Sequence, residues 1–256
     1  MQVSGKIAVI TGGAGGIGSA MARKFLAASA ANVVIADKDA DRVEAMASDL
    51  GCVGMTCDAT SEASIKELIA KTEADHGDID IFCSNAGVML LGDESASNED
   101  WQLCWDLHLM SHVYAARHLA PKMAARGEGY LINTASAAGL LAHVDSATYT
   151  VTKHAAVAFG EWLSITYGDR GVRVSVLCPQ AVRTAMIAGR EGEAASVDGI
   201  MEPDVMADAV LATMEREEFL ILPHEEVREY IRRKGENTER WLGGMRRWRA
   251  KIAHSE

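Results

Sequence analysis

The chain has 256 residues, 48% of them hydrophobic and 24% charged, and a formal net charge of −11. This is enough apolar material for one sizeable core, so a single domain spanning residues 1–256 is expected, and no stretch approaches the roughly 20 unbroken apolar residues of a membrane helix. The acidic balance argues against a nucleic-acid-binding protein, whose contact surfaces are basic, and a membrane partner is not expected.

The five cysteines (Cys52, Cys57, Cys83, Cys104, Cys178) are scattered and form no Cys-x-x-Cys pair. Neither a disulfide framework nor a metal site is expected, and the composition fits a reducing cytoplasm. The N-terminus, MQVSGKIAVITGG, places a lysine before a short apolar run that stops at glycines. It reads as a first strand, not a targeting segment.

In chain order, β-rich runs alternate with helical patterns. The first strand, Ile7–Thr11, runs into TGGAGGIG (Thr11 to Gly18), which opens a helix over Ile17–Ala28. A strand, a glycine turn and a helix N-terminus bring backbone N–H groups and a positive helix end to a pyrophosphate. The glycines satisfy Gly-x-Gly-x-x-Gly at Gly13, Gly15 and Gly18, and also Gly12-x-x-x-Gly16-x-Gly18. The second strand, Asn32–Asp37, ends on an acid nineteen residues after Gly18. There a carboxylate would accept hydrogen bonds from the adenosine ribose and repel a 2′-phosphate, which favours NAD over NADP. The glycine turn itself has no basic residue to hold that phosphate, while Lys38 beside the carboxylate leaves room for a minor NADP activity.

Further strands are predicted at Cys52–Cys57, Ile79–Ser84, Tyr130–Ala135, Val172–Cys178 and Phe219–Leu222, and further helices at Ala40–Leu50, Ser61–His76, Glu99–Arg126, Tyr149–Tyr167 and Pro203–Arg216. Asn98 is expected to cap the fourth helix, and Pro203 suits the first turn of the last. The alternation implies an α/β, Rossmann-like, doubly wound, seven-stranded parallel sheet, followed by a helical C-terminal extension over residues 224–256. Ser136 follows the fifth strand, and Tyr149 and Lys153 stand thirteen and seventeen residues beyond it in YTVTK. Positions i and i+4 share a helix face, so the Lys153 cation is expected to stabilise a Tyr149 phenolate and make the phenol a general base.

With the glycine turn, Asp37, Ser136, Tyr149 and Lys153 in this order, the chain resembles the short-chain dehydrogenase/reductase family up to about Leu222. Asp58 after the third strand, Asn85-Ala86-Gly87 after the fourth and Pro179 through Thr184 after the sixth extend the likeness. The resemblance implies cofactor contacts at Gly12, Gly16, Ile17, Gly18, Asp37, Asp58, Ala59, Asn85, Tyr149, Lys153, Val182 and Thr184. In that family the aspartate corresponding to Asp58 contacts the adenine amino group. The Asn-Ala-Gly turn supports the sheet, and Val182 and Thr184 lie by the nicotinamide carboxamide. The implied reaction interconverts a secondary alcohol and a ketone with NAD: Tyr149 takes the hydroxyl proton as hydride leaves the same carbon, Ser136 binds the substrate oxygen, and Lys153 holds the nicotinamide ribose. A homodimer or homotetramer is implied by the two long helices.

Three places depart from the family pattern. His108 occupies the usual asparagine position and is counted with the catalytic residues; it could hold a water, relay protons or leave the relay impaired. A metal pair of His108 with His112 lacks a completing carboxylate. Gln180 replaces a turn glycine and either contacts substrate or merely fills the turn. Leu140, Leu141, Ala142, His143 and Val144, with Val88, Met89, Met186 and Ile187, are expected to wall an apolar substrate pocket, in which Leu141, His143, Gln180 and Met186 are the chosen contacts; a solvent-facing His143 is the competing reading.

In the tail, Trp241, Met245, Trp248 and Ile252 recur at helical spacing among arginines, while Gly243 and Gly244 weaken the helix. Docking on the core or on a partner subunit is the first reading, with a lid over the pocket second and a membrane-surface helix third. The functions in competition are an NAD-dependent dehydrogenase for an apolar cyclic, aromatic or steroid-like alcohol, a diol or polyol dehydrogenase, and a catalytically silent NAD-binding sensor.

Overall fold

A computed structural model describes residues 1–189 and 196–253 of the chain; the side chain of Ile252, counted in the apolar stripe of the tail, lies outside that description. Seven parallel strands pair in the order β3-β2-β1-β4-β5-β6-β7. They are β1 (Ile7–Thr11), β2 (Asn32–Asp37), β3 (Val53–Thr56), β4 (Ile81–Ser84), β5 (Gly129–Thr134), β6 (Val172–Leu177) and β7 (Leu220–Ile221). The order reverses between β1 and β4, and in such sheets the ligand crevice lies beyond the strand C-termini at that point. The glycine turn after β1 and the Asn85 turn after β4 flank it.

Alternation within each strand divides the core. Ala8, Ile10, Val33 and Ile35 face one side and pack with Met21 and Phe25 of α1 (Gly16–Ala27), Val43 of α2 (Ala40–Leu50), and Met206 and Val210 of α7 (Pro203–Arg216). Val9, Val34 and Phe82 face the other side, against Leu68 of α3 (Glu62–His76), Leu119 of α5 (Ser111–Arg126) and Leu163 of α6 (Ala147–Tyr167). Burying each such large side chain contributes roughly 1.5–3 kcal/mol.

The strand limits at β1 and β2 agree with the expectation, and the other five strands are shorter or shifted by one or two residues. Two differences have local causes. The helix start near residue 98 is capped by Ser97, whose Oγ accepts the Asp100 N–H at 3.0 Å, so Asn98 is already helical. α6 starts two residues before Tyr149 because Ser146 caps it. The Ser146 Oγ accepts the Tyr149 N–H at 3.1 Å and donates to Leu90 O at 2.6 Å, tying the helix start to the segment after β4.

The expected helix Glu99–Arg126 is interrupted. α4 (Asn98–Trp105) passes into a wide π turn, Asp106–Met110, before α5 resumes. Single π turns inside helices concentrate at functional sites, and this one carries His108. The tail forms α8 (Glu226–Glu236) and α9 (Thr238–Ala253), the latter continuous through Gly243 and Gly244.

Candidate active site

A cavity of about 720 Å³ runs along the C-terminal edge of the sheet, from Asp37 past the glycine turn to Tyr149 and on to the tail helices. Its dinucleotide end is built from backbone. Gly12 takes a φ of +63°, and a Cβ there would lie 2.9 Å from Ala86 Cα. A Cβ on Gly18 would collide with Gly12 O. The turn therefore closes only with glycines at these positions. Gly15 precedes α1 with no side-chain cap and no acid in the first turn, leaving a positive helix end facing the cavity. Gly12, Gly16, Ile17, Gly18, Asp37, Asn85, Val182 and Thr184 all line it. Asn85 braces this edge, its Nδ2 donating to Thr11 O at 3.1 Å and its Oδ1 accepting from Thr134 Oγ1 at 3.1 Å. A glycine cradle, a carboxylate at a strand end and a continuous cleft are the features a nicotinamide dinucleotide requires, and the residues present fit one.

Of the cofactor contacts that the resemblance implies, Asp58 and Ala59 are the two that stand outside the lining of the cavity. The Asp58 Oδ1 accepts the Thr60 N–H at 2.9 Å and the Thr60 hydroxyl proton at 2.7 Å. A basic residue does reach the glycine turn: Arg42 Nη2, from the first turn of α2, donates to Ala14 O at 3.2 Å, and Arg42 and Lys38 line the cavity beside Asp37. Nothing in the spacing of Arg42 marks it, because only the packing of α2 beside β2 brings the side chain back.

At the other end, Ser136, Tyr149 and Lys153 come together, all buried and all lining the cavity. Ser136 follows β5, with its Oγ accepting the Ala138 N–H at 3.1 Å and donating to Pro179 O at 3.3 Å. The Lys153 ammonium sits 5.5 Å from the centre of the Tyr149 ring and donates to Thr134 O at 2.9 Å. Burial lowers Lys153 to about 8. The expectation of a lowered tyrosine is not met: burial pushes Tyr149 up to about 12, against which the Ser136 hydroxyl pulls it down. The reason is geometric, since the ammonium is held on a strand carbonyl and the phenol sits in apolar surroundings. Tyr149 is thus a neutral phenol at pH 7, set up to donate a proton.

His108 is fully buried, its ring edge-on to Tyr149 at 5.4 Å. Its Nε2 accepts the Val88 N–H at 3.2 Å, so the ring proton is on Nδ1, which lies 2.8 Å from Thr152 Oγ1. The Thr152 hydroxyl in turn donates to Thr148 O at 2.8 Å. Burial first, then Lys153 and His112, lower His108 to about 2. Both nitrogens are thus committed to protein partners and the ring stays neutral, which suits a clamp between the Val88 loop and α6.

Leu141, His143, Gln180 and Met186 line the substrate end, joined by Val88, Met89, Ala142 and Ile187. Leu140 and Val144 do not line it. The solvent-facing reading of His143 is overturned: the ring is buried, 6.2 Å from Tyr149, because Thr150 holds the loop inward through the His143 N–H at 2.8 Å. Gln180 Nε2 donates to Asp198 Oδ2 at 2.9 Å. Trp241, Met245 and Trp248 of α9 line the cavity as well, so this stripe covers the site. Among the described residues no cluster of His, Cys, Asp and Glu could hold a metal ion, and no helix is long and apolar enough to cross a membrane.

Residues 6–194 match the family model for short chain dehydrogenases. The 1-deoxy-11-beta-hydroxypentalenate dehydrogenase of Streptomyces exfoliatus is 37% identical over 199 residues, 74% of this chain and 72% of the relative. The 2,5-dichloro-2,5-cyclohexadiene-1,4-diol dehydrogenase of Sphingobium indicum is 35% identical over 191 residues, 73% of this chain and 76% of the relative. A crystal structure of a short chain dehydrogenase/reductase from Burkholderia phymatum in complex with NAD superposes with a TM-score of 0.85 at 26% identity, covering 93% of this chain and 96% of that one. With the parallel sheet, the glycine cradle and the Ser-Tyr-Lys constellation in place, the chain belongs to the short-chain dehydrogenase/reductase family and is an oxidoreductase.

Proposed function

We propose that this protein interconverts a secondary alcohol and its ketone with NAD as cofactor, the substrate having an apolar, ring-containing body. The observation that carries the reading is one cavity joining the glycine turn and Asp37 to Ser136, Tyr149 and Lys153. The amides opening α1 would hold the pyrophosphate, Asp37 the adenosine ribose, Lys153 the nicotinamide ribose, and Val182 and Thr184 the carboxamide edge. When bound, the nicotinamide ring supplies the acceptor or donor of hydride. Tyr149 donates its proton to the carbonyl oxygen in reduction, and in oxidation its phenolate form takes the proton from the alcohol, while the Ser136 hydroxyl hydrogen-bonds that oxygen and fixes its distance from the phenol. Neutral, doubly hydrogen-bonded His108 acts by holding the Val88 loop and α6 in register, with no proton transfer of its own.

Preference for NAD follows from the Asp37 carboxylate, which repels a 2′-phosphate; Lys38 and Arg42 oppose that repulsion in part. Purified protein supplied with NAD⁺ and apolar secondary alcohols is expected to form NADH, and NADP⁺ to support a rate at least about tenfold lower. Equal rates with both cofactors would remove the NAD assignment. NADH binding without turnover across the panel would favour a silent binding protein. Cyclic diols belong in the panel, because among the described residues the Gln180 Oε1 has no hydrogen-bond partner and the Sphingobium relative acts on a cyclic diol.

The assembly proposed is a homodimer or homotetramer, in the cytoplasm. Supporting it, Leu103 and Trp105 on α4 and Trp162 and Ile165 on α6 are exposed, Ile165 at 84%. Solitary exposed apolar residues are ordinary, but a concentration on two adjacent helices marks a docking face. Replacing Trp162 and Ile165 together by glutamate is expected to reduce the mass in light scattering to that of one chain. An unchanged mass would move the interface elsewhere.

A further inference from the structure

The tail helices α8 and α9 lie beyond residue 194, where the family match ends, yet they supply part of the cavity wall. Trp241, Met245 and Trp248, spaced by four and three residues, are half-buried on one face of α9, whereas Arg246, Arg247 and Arg249 between and after them are exposed. Tyr230 of α8 lines the same wall, its ring centre 6.2 Å from that of Trp241. This wall stands with Met186, Ile187 and Val197, so the space beyond Tyr149 is bounded mainly by flat and flexible apolar groups.

Two polar ties hold the tail there. Lys234 Nζ donates to Leu140 O at 2.7 Å and Leu141 O at 3.2 Å, in the loop between Ser136 and Tyr149. Tyr230 donates its hydroxyl proton to Asp198 Oδ1 at 2.9 Å, and the other oxygen of that carboxylate accepts from Gln180 Nε2 at 2.9 Å. The tail is thereby tied both to the catalytic loop and to the segment after β6. Membrane binding is a poor alternative for α9, because the face that would enter lipid is the one turned to the cavity. Each tie uses a buried or half-buried partner and anchors α8, and α9 packs on α8 through the Tyr230 and Trp241 rings.

We propose that α8 and α9 form the specificity-determining roof of the substrate pocket, and that Trp241, Met245 and Trp248 select an alcohol or ketone carried on two or more fused, flat, apolar rings over a single-ring or acyclic one. This rests on the oxidoreductase reading above and names its substrate class. Large aromatic faces bind flat apolar bodies at low cost in side-chain entropy, whereas a small polyol would leave that surface wet and its own hydroxyls without partners.

The test reads binding separately from turnover. Calorimetry with 2-tetralone and cyclohexanone on the NAD⁺-loaded protein reports a dead-end complex that needs no chemistry. The intact protein is expected to bind the fused-ring ketone at least about tenfold more tightly than cyclohexanone. Trp248→Ala and Trp241→Ala should each lose most of that preference, Trp248→Phe should keep most of it, and Lys234→Met should weaken 2-tetralone more than cyclohexanone. NADH titration by fluorescence checks that the cofactor end is intact in each variant. No preference in the intact protein, a preference unmoved by both alanine variants, or no binding of either ketone overturns the roof. Preferential binding lost on removing the tryptophans, with no alcohol oxidised, sustains the roof and defeats the oxidoreductase reading. Oxidation of alcohols without dependence on α9 does the reverse.

Discussion

Tyr149→Phe is expected to lower kcat by about a thousandfold, within the range that positioned proton transfer contributes, while NADH binding stays within about twofold. The substitution removes one oxygen and keeps the ring that packs edge-on to His108 and His143. Stability should change little, because among the described contacts the phenol oxygen has Ser136 as its hydrogen-bonding neighbour and no backbone partner. The phenol is pushed up to about 12 by burial, and Lys153 down to about 8. Carbonyl reduction, which needs the neutral phenol, should therefore hold its rate from pH 6 to 8. Alcohol oxidation, which needs a proton acceptor, should rise with pH over the same interval. Pre-steady-state measurement of both directions checks this, and a kcat for Tyr149→Phe within tenfold of the unmodified enzyme would remove the tyrosine from the chemistry.

The second large effect concerns acid. His108 and His112 are both buried, and burial, reinforced by the nearby Lys153 charge, lowers them to about 2 and about 3 from an ordinary value of 6.5. Among the described residues neither side-chain nitrogen of His112 makes a full hydrogen bond, although the Ser84 backbone faces it. Below pH 6.5 the unfolded chain binds protons at these rings and the folded chain does not, so stability falls as the pH falls. Each ring costs about 1.4 kcal/mol per pH unit through this window, together about 5 kcal/mol by pH 4.5. That rivals the whole stability of many domains. Urea midpoints at pH 7 and 4.5 should therefore differ widely, and His108→Asn should remove about half of the difference arising from the pair. An asparagine variant with an unchanged pH slope would show that other groups govern the acid limb.

The same histidine marks where linear reading runs out. Its position in WDLHLMS identifies the departure from the family asparagine, and its chemistry there leaves a relay, a water site and a packing role open. The choice comes from Val88 and Thr152, twenty residues before and forty-four after it, which occupy its two nitrogens. Arg42 teaches the same lesson. It sits at no motif position and reaches the glycine turn from α2. Lys153 shows that sharing a helix face does not place an ammonium at a phenol oxygen when a strand carbonyl competes for it.

What could be read in the linear chain is whatever local chemistry enforces. Alternating β-rich and amphipathic runs dictate parallel strands joined by helices; a turn at Gly12 and Gly18 that no side chain can enter dictates the dinucleotide end; the four-residue spacing of Tyr149 and Lys153 keeps both on the active-site face of one helix. These follow from backbone geometry and periodicity, which act over a few residues. The protonation of Tyr149, the burial of His143 and the turning of Trp241, Met245 and Trp248 toward the cavity depend on dielectric surroundings and on contacts between elements up to about ninety residues apart, such as Lys234 on the carbonyls of Leu140 and Leu141. Solvent exclusion and long-range hydrogen bonding come into being with the packed fold, and it is there that the phenol was kept neutral and the tail became a wall of the pocket.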